Sequence, residues 1–222
     1  MPELRRLLVA DDPATWAAAG FAVNGDRTAI GAVAIRFVDG PERGVRGWEL
    51  APTIDESVDD GAIDGIPTAR TDEPVPPPQA HPNGVSRLDH VVIATPDVGR
   101  TITALEAAGF ETRRTRDVPG SEPPRRQVFL WAGEPILEVA GPVAPSGGGP
   151  ASISGLALTT DDLDAAAALL GPRLSSPKDA VQPGRRIATI DTRSLGISTG
   201  LALMTPHVPV GPAGPDHASL TS

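Results

Sequence analysis

An α+β protein assembled from tandem βαβββ modules is the fold class this sequence predicts. Three observations carry it. The order strand, helix, strand, strand, strand reads clearly over residues 84–142. The same order returns over residues 151–206, with apolar, cap and stop residues 65 or 64 positions further on. A shortened version occupies residues 1–51. A supersecondary unit that recurs at a fixed period organises a fold more strongly than any single propensity.

The middle module sets the pattern. Residues 88–95 (LDHVVIAT) are β-branched and apolar, which predicts a strand. Asp97 is placed to cap a helix that runs to about Ala108, with Ile102 and Leu105 on its inner face and Gly109 as its stop. Three strands follow, at 110–116, 126–132 and 135–141, the last two joined by a turn at Gly133-Glu134. In the third module, residues 153–160 form the strand, Asp162 the cap and Gly171 the stop. Strands at 186–191 and 198–204 complete it. Leu88/Ile153, Val91/Leu156, Thr95/Thr160 and Asp97/Asp162 correspond at offset 65, and Leu137/Leu201 and Pro142/Pro206 at offset 64.

The first module reads as a degenerate copy. Leu7 to Val9 is a brief strand, and Asp12-Pro13 opens a helix that ends in Ala18-Ala19-Gly20-Phe21, the tetrapeptide repeated at Ala107 to Phe110. Strands are expected at 21–23, 28–30, 33–38 and 48–50, with Trp16 and Trp48 in the core. Residues 52–83 hold seven acids, one base and the run PVPPP, and are expected to be an acidic, Pro-rich linker. His81, in the turn that enters the middle module, is expected to be exposed. Residues 207–222 read as a flexible tail.

Composition excludes several classes. The 222 residues contain no Cys, so disulfides, thiolate metal sites and Cys nucleophiles are absent. The net charge is −9, and six of those charges fall in residues 51–84. A net acidic chain repels phosphate backbones, so nucleic acid is not an expected partner. Only four consecutive apolar residues, Leu7 to Ala10, precede the aspartates near the N-terminus, and no long apolar run follows. A cytoplasmic protein with no membrane partner is the expectation.

Leu88-Asp89-His90-Val91-Val92, Pro96-Asp97-Val98, Ala107-Ala108-Gly109-Phe110 and Ile136-Leu137-Glu138-Val139-Ala140 together resemble the vicinal oxygen chelate superfamily. That superfamily includes glyoxalase I, bleomycin-resistance proteins and extradiol dioxygenases. The resemblance implies two modules paired into a curved, half-open barrel around a pocket. It also implies a divalent metal (Zn, Ni, Fe or Mn) held by one residue on the first strand and one on the last strand of each module. His90 and Glu138 match two of these positions. The other two carry Gly155 and Ala202, which have no donor atom. His207 and Gln127 are candidates for a third ligand.

Three functional readings stay open, the last of them a purely structural or interaction module. In the first, the protein is a glyoxalase-like lyase, isomerase or dioxygenase on a small oxygen-rich or carboxylate substrate. His90 and Glu138 then serve as catalytic groups or metal ligands. In the second, it sequesters a small molecule without turning it over. The pairs Arg125-Arg126 and Arg185-Arg186 precede equivalent strands, and one arginine from each, with Arg126 and Arg186 favoured, is a candidate to grip a substrate carboxylate at the pocket mouth. Trp131 and Gln127 are further substrate-binding candidates. Phe129 and Trp131 are assigned to opposite faces of their strand, so that one lines the pocket. The odd module must cover its sheet on its own chain or against a partner molecule, and the second alternative gives the homodimer expected as the assembly.

Overall fold

The computed structural model describes residues 1–51 and 61–207. The chain folds in the order β1 (Leu4–Val9), α1 (Pro13–Ala18), β2 (Arg27–Ile30), β3 (Val33–Phe37), β4 (Val45–Leu50), β5 (Gly61–Ile63) and β6 (Ile66–Arg70). The middle module follows as β7 (Val85–Ala94), α2 (Val98–Ala107), β8 (Thr112–Val118), β9 (Arg125–Trp131) and β10 (Ile136–Pro142). The last is β11 (Ser152–Thr160), α3 (Leu163–Leu170), β12 (Lys178–Asp179), β13 (Arg186–Thr189), α4 (Thr192–Leu195) and β14 (Gly200–Met204).

Local chemistry sets the boundaries. Asp12, Asp97 and Asp162 each cap a helix by accepting from a backbone N–H of its first turn. Gly20 and Gly109 stop α1 and α2 with φ of +82° and +89°, a backbone region where a side chain is strained.

The middle and last modules pair edge to edge in one eight-stranded sheet of order β12-β13-β14-β11-β7-β10-β9-β8. Its centre is the antiparallel pair β7 and β11, with Val91 opposite Leu156. The offset of 65 maps that pair onto itself. It also maps His90 opposite Ala157 onto Gly155 opposite Val92, and both pairs are present. The sequence repeat is therefore a pseudo-twofold axis through the sheet. Neither end of the sheet closes onto the other, since β8 and β12 are both edge strands.

The N-terminal region differs from its reading as one module. Residues 21–23 form no strand. The region expected as a linker supplies β5 and β6, while residues 52–60 lie outside the described residues. The six strands form a sheet of order β2-β3-β1-β4-β6-β5. β4 lies antiparallel to β1 and parallel to β6, as β11 lies antiparallel to β7 and parallel to β14. The first 70 residues thus repeat the whole paired unit in shortened form. Period-two patterning cannot reveal this, because β5 is three residues long.

The two sheets share one core. Val91, Ile93, Leu137 and Val139 face it from the larger sheet, Leu7, Val9, Ile35 and Trp48 from the smaller, and Trp16 from α1. Trp48 stacks on Phe110 at 6.1 Å. Covering of the N-terminal sheet within the same chain removes the reason for expecting a second copy. His81 is buried, not exposed, because its ring bonds Ala22 and Ala29 of the smaller sheet. Residues 208–222, the bulk of the expected tail, lie outside the described residues. No described helix is long and apolar enough to cross a membrane.

Candidate active site

Residues paired across neighbouring strands point to the same face of a sheet. The register therefore defines a face opposite the core. Across it run Arg116 beside Gln127, Phe129 beside Glu138 and Trp131 beside Ile136. Ile136 in turn pairs with His90, and His90 with Ala157. Residues two apart on a strand share a face, so Phe129 and Trp131 both lie on this one. Their assignment to opposite faces is corrected by that period.

At its centre is a chain of polar contacts. His90 Nε2 lies 3.3 Å from Glu138 Oε2, and His90 Nδ1 lies 3.0 Å from Asp89 Oδ1. Gln127 donates to the other oxygen of Glu138, and Arg116 donates to Gln127. At the far end Arg185 donates to Asp89 Oδ2 at 2.7 Å. The His90, Asp89 and Glu138 side chains are only 17%, 10% and 12% exposed, so water screens these contacts weakly.

Asp89 reaches this face through a β-bulge. The register steps from Ala157 opposite His90 to Leu158 opposite Leu88 and leaves Asp89 unpaired. An unbulged strand would turn Asp89 away from the face that His90 occupies. Burial pushes the Asp89 carboxyl up. Hydrogen bonds from His90 and Arg185, with the Arg185 charge, outweigh it and hold the group well below the usual carboxylate range. Both imidazole nitrogens face carboxylate oxygens, yet a neutral ring has a single N–H. With Nδ1 engaged by Asp89, His90 Nε2 faces the Glu138 carboxyl at 3.3 Å, a separation across which a proton can pass.

The other sequence candidates are placed as follows. Gln127 and Trp131 lie on the face of Glu138, and Arg113 stacks over Trp131 with its guanidinium carbon 4.1 Å from the ring centroid. Arg126 alternates with Gln127 and pairs with Asp117, while Arg186 pairs with Asp164 of the α3 turn. The fold does not bring Arg126 and Arg186 together with His90. Their sequence neighbour Arg185 is the arginine that reaches Asp89, and its side chain is 3% exposed. His207 is exposed past the end of β14. Asp89 and Arg116 escaped the sequence reading, and of the pair Arg185-Arg186 it favoured the other member. The period-two rule fails at a bulge, and one arginine of a pair looks like the other.

The donor set does not fit the divalent metal that the resemblance implies. Register places Gly155 beside Gly200 and Ala157 beside Ala202, so the positions related to His90 and Glu138 present no donor atom. His90 already spends both nitrogens on carboxylates. Among the described residues no group of three His, Cys, Asp or Glu is arranged to hold a metal ion. A catalytic zinc takes three protein ligands. Two hollows of about 620 and 360 Å³ open elsewhere, where Arg5, Ala32 and Glu134 meet, the larger of them also lined by residues 74–78.

No protein-family model matches the sequence, and no curated protein matches it. Solved structures do. A mutant of 4-hydroxymandelate synthase from Streptomyces coelicolor superposes with a TM-score of 0.61 at 11% identity, covering 92% of this chain and 93% of that one. A xylose isomerase-like TIM barrel/4-hydroxyphenylpyruvate dioxygenase fusion protein gives 0.59 at 11% identity, over 96% of this chain and 50% of that one. An extradiol ring-cleaving dioxygenase from B. fuscum gives 0.56 at 15% identity, over 95% and 75%. At such identities the likeness speaks to architecture. With the paired βαβββ modules and their pseudo-twofold axis, it shows that this chain has a glyoxalase-like α+β fold.

Proposed function

We propose that the protein is an isomerase or lyase that moves a proton on a small oxygen-rich or carboxylate substrate, with Glu138 as the base. The observation that carries this reading is His90 held between the Asp89 and Glu138 carboxylates. Glu138 takes a proton from a carbon next to a carbonyl. The C–H electron pair moves into the new C=C bond, and the carbonyl π pair goes to oxygen, giving an enolate. His90 relays the proton, and Asp89 fixes the ring and stabilises its charged form. In an isomerase the proton returns to a carbon as the carbonyl reforms. In a lyase the enolate pair expels a leaving group from the neighbouring carbon. The small side of the face, Gly155, Ala157 and Ala202, leaves room for substrate beside these groups.

Dioxygenase chemistry would need a redox metal, and the two available side chains do not make a site for one. The test is exchange of carbon-bound hydrogen for deuterium in D₂O, followed by NMR over a panel of small keto, hydroxy and dicarboxylic acids. Exchange that Glu138→Gln slows by about 100-fold or more supports the reading. Exchange at an unchanged rate in Glu138→Gln overturns it, as does the absence of exchange with substrates the wild-type protein binds.

A further inference from the structure

The edge strand β8 separates its charges by face. Arg114 pairs with Phe129 and Arg116 with Gln127, which puts both arginines on the face of Glu138. Arg113 joins them, since its guanidinium covers the Trp131 ring on that face. The acid of the strand, Asp117, pairs with Arg126 and is engaged there by two hydrogen bonds. Edge strands often carry charge to prevent strand-to-strand association. That purpose is served by charge on either face and explains no segregation.

The three arginines also differ in what they hold. Arg114 is exposed and makes no hydrogen bond or ion pair among the described residues. Arg113 holds only the aromatic ring. Arg116 donates one Nη to Gln127, but its Nε is buried without an acceptor. A guanidinium presents donors in a planar fork that matches a carboxylate or a phosphate. Here donors stand unused on the one face that carries the proton-transfer groups, in a chain of net charge −9.

We propose that the arginine face of β8 seats the oxyanion of the substrate, with Arg113 and Arg114 as its binding residues and Arg116 tying that seat to Glu138 through Gln127. This deepens the reading of the face as an active site and rests on it. β8 lies two strands from β10, about 10 Å at the usual spacing. The substrate is therefore an acid whose carboxylate or phosphate sits several bonds from the carbon that loses its proton. Trp131 provides the signal. Trp16 and Trp48 are fully buried, so an anion that draws Arg113 off the half-buried indole changes the emission of Trp131.

The experiment titrates the full-length protein with inorganic phosphate, malonate and chloride, followed by tryptophan emission and calorimetry. Saturable binding of phosphate or malonate is expected, weakened tenfold or more in the double variant Arg113→Ala/Arg114→Ala and unchanged in Arg27→Ala. A tenfold preference for one probe identifies the headgroup. Equal responses to all three anions signal counter-ion screening and overturn the proposal. So does double-variant binding within twofold of the wild type at an unchanged Tm. Glu138→Gln separates the two readings. Unslowed proton exchange with intact anion binding defeats the catalytic assignment alone. Lost exchange in Glu138→Gln, with an unchanged KM in the double arginine variant, defeats the seat alone.

Discussion

Glu138 meets His90 diagonally across two parallel strands: His90 pairs with Ile136 and Glu138 with Val92, yet Nε2 and Oε2 are 3.3 Å apart. The contact spans neighbouring strands, so each side chain is aimed by its own backbone and neither must bend towards the other. His90→Gln keeps a polar group there but removes the proton relay. It is expected to slow deuterium exchange by about 10²-fold with little change in KM. A chelator is expected to leave the wild-type rate unchanged, because the donor set makes no three-ligand site. Rate and KM measured with and without chelator check both statements.

Asp89 is the buried anion of the face, and Arg185 is its buried cation. Arg185→Ala leaves that carboxylate with His90 and Thr159 alone. Loss of one partner from a buried pair costs about 3 kcal/mol. Urea titration is expected to show this as a lower midpoint, and Asp89→Asn in the same background to recover part of it. The folded-state carboxyl titrates below its unfolded value of 3.8, so its contribution is complete above that pH and is lost as acid is added. Asp89→Asn is expected to flatten this acid limb of the stability curve.

The module order was legible because each cue is local. An Asp cap, a Gly stop and an apolar strand repeat at 65 residues, and the register reproduces that offset. The His90 and Glu138 positions were legible for the same reason, as were the empty positions at Gly155 and Ala202. The partners of His90 were not. Asp89 depends on a bulge, a tertiary irregularity with no residue signature. Arg116 acts from another strand and Arg185 from the residue that precedes β13, and their proximity is set by the tertiary fold. The strands β5 and β6 were hidden by the acids and prolines around them. Asp64, one of those acids, is buried against Arg100 and Thr101 of α2 instead of being solvated.

His81 ties the segment between the two sheets to the smaller one. Its Nδ1 accepts from the Ala22 N–H at 3.0 Å, and its Nε2 donates to the Ala29 carbonyl at 3.0 Å. That pattern requires the neutral ring. Burial lowers its pKa, and the Ala29 bond only partly opposes this. A second proton would turn Nδ1 from acceptor into donor against the Ala22 N–H. The stabilisation is complete above the unfolded value of 6.5 and is lost as the pH falls through the lower folded value. Melting temperatures between pH 7.5 and 5 are expected to fall in the wild type, and to fall less in His81→Gln.

Asp11 joins the sheets at the opposite end, and its side chain is fully buried. One oxygen accepts from the Gly44 and Ser198 backbone N–H groups, at 3.3 and 3.1 Å. The other accepts from Trp16 Nε1 at 3.3 Å and Thr199 Oγ1 at 3.4 Å. Four donors, from α1, the turn before β4 and the segment before β14, thus converge on one carboxylate. In Asp11→Ala they stay buried without an acceptor, and each orphan costs about 1 kcal/mol or more. A loss of about 3–4 kcal/mol is expected. Asp11→Asn keeps one acceptor oxygen but turns the other into a donor facing two donors, so it is expected to recover less than half of that loss. Urea midpoints at constant slope measure both, and a loss under about 1 kcal/mol in Asp11→Ala would show that the sheets hold together by apolar packing alone.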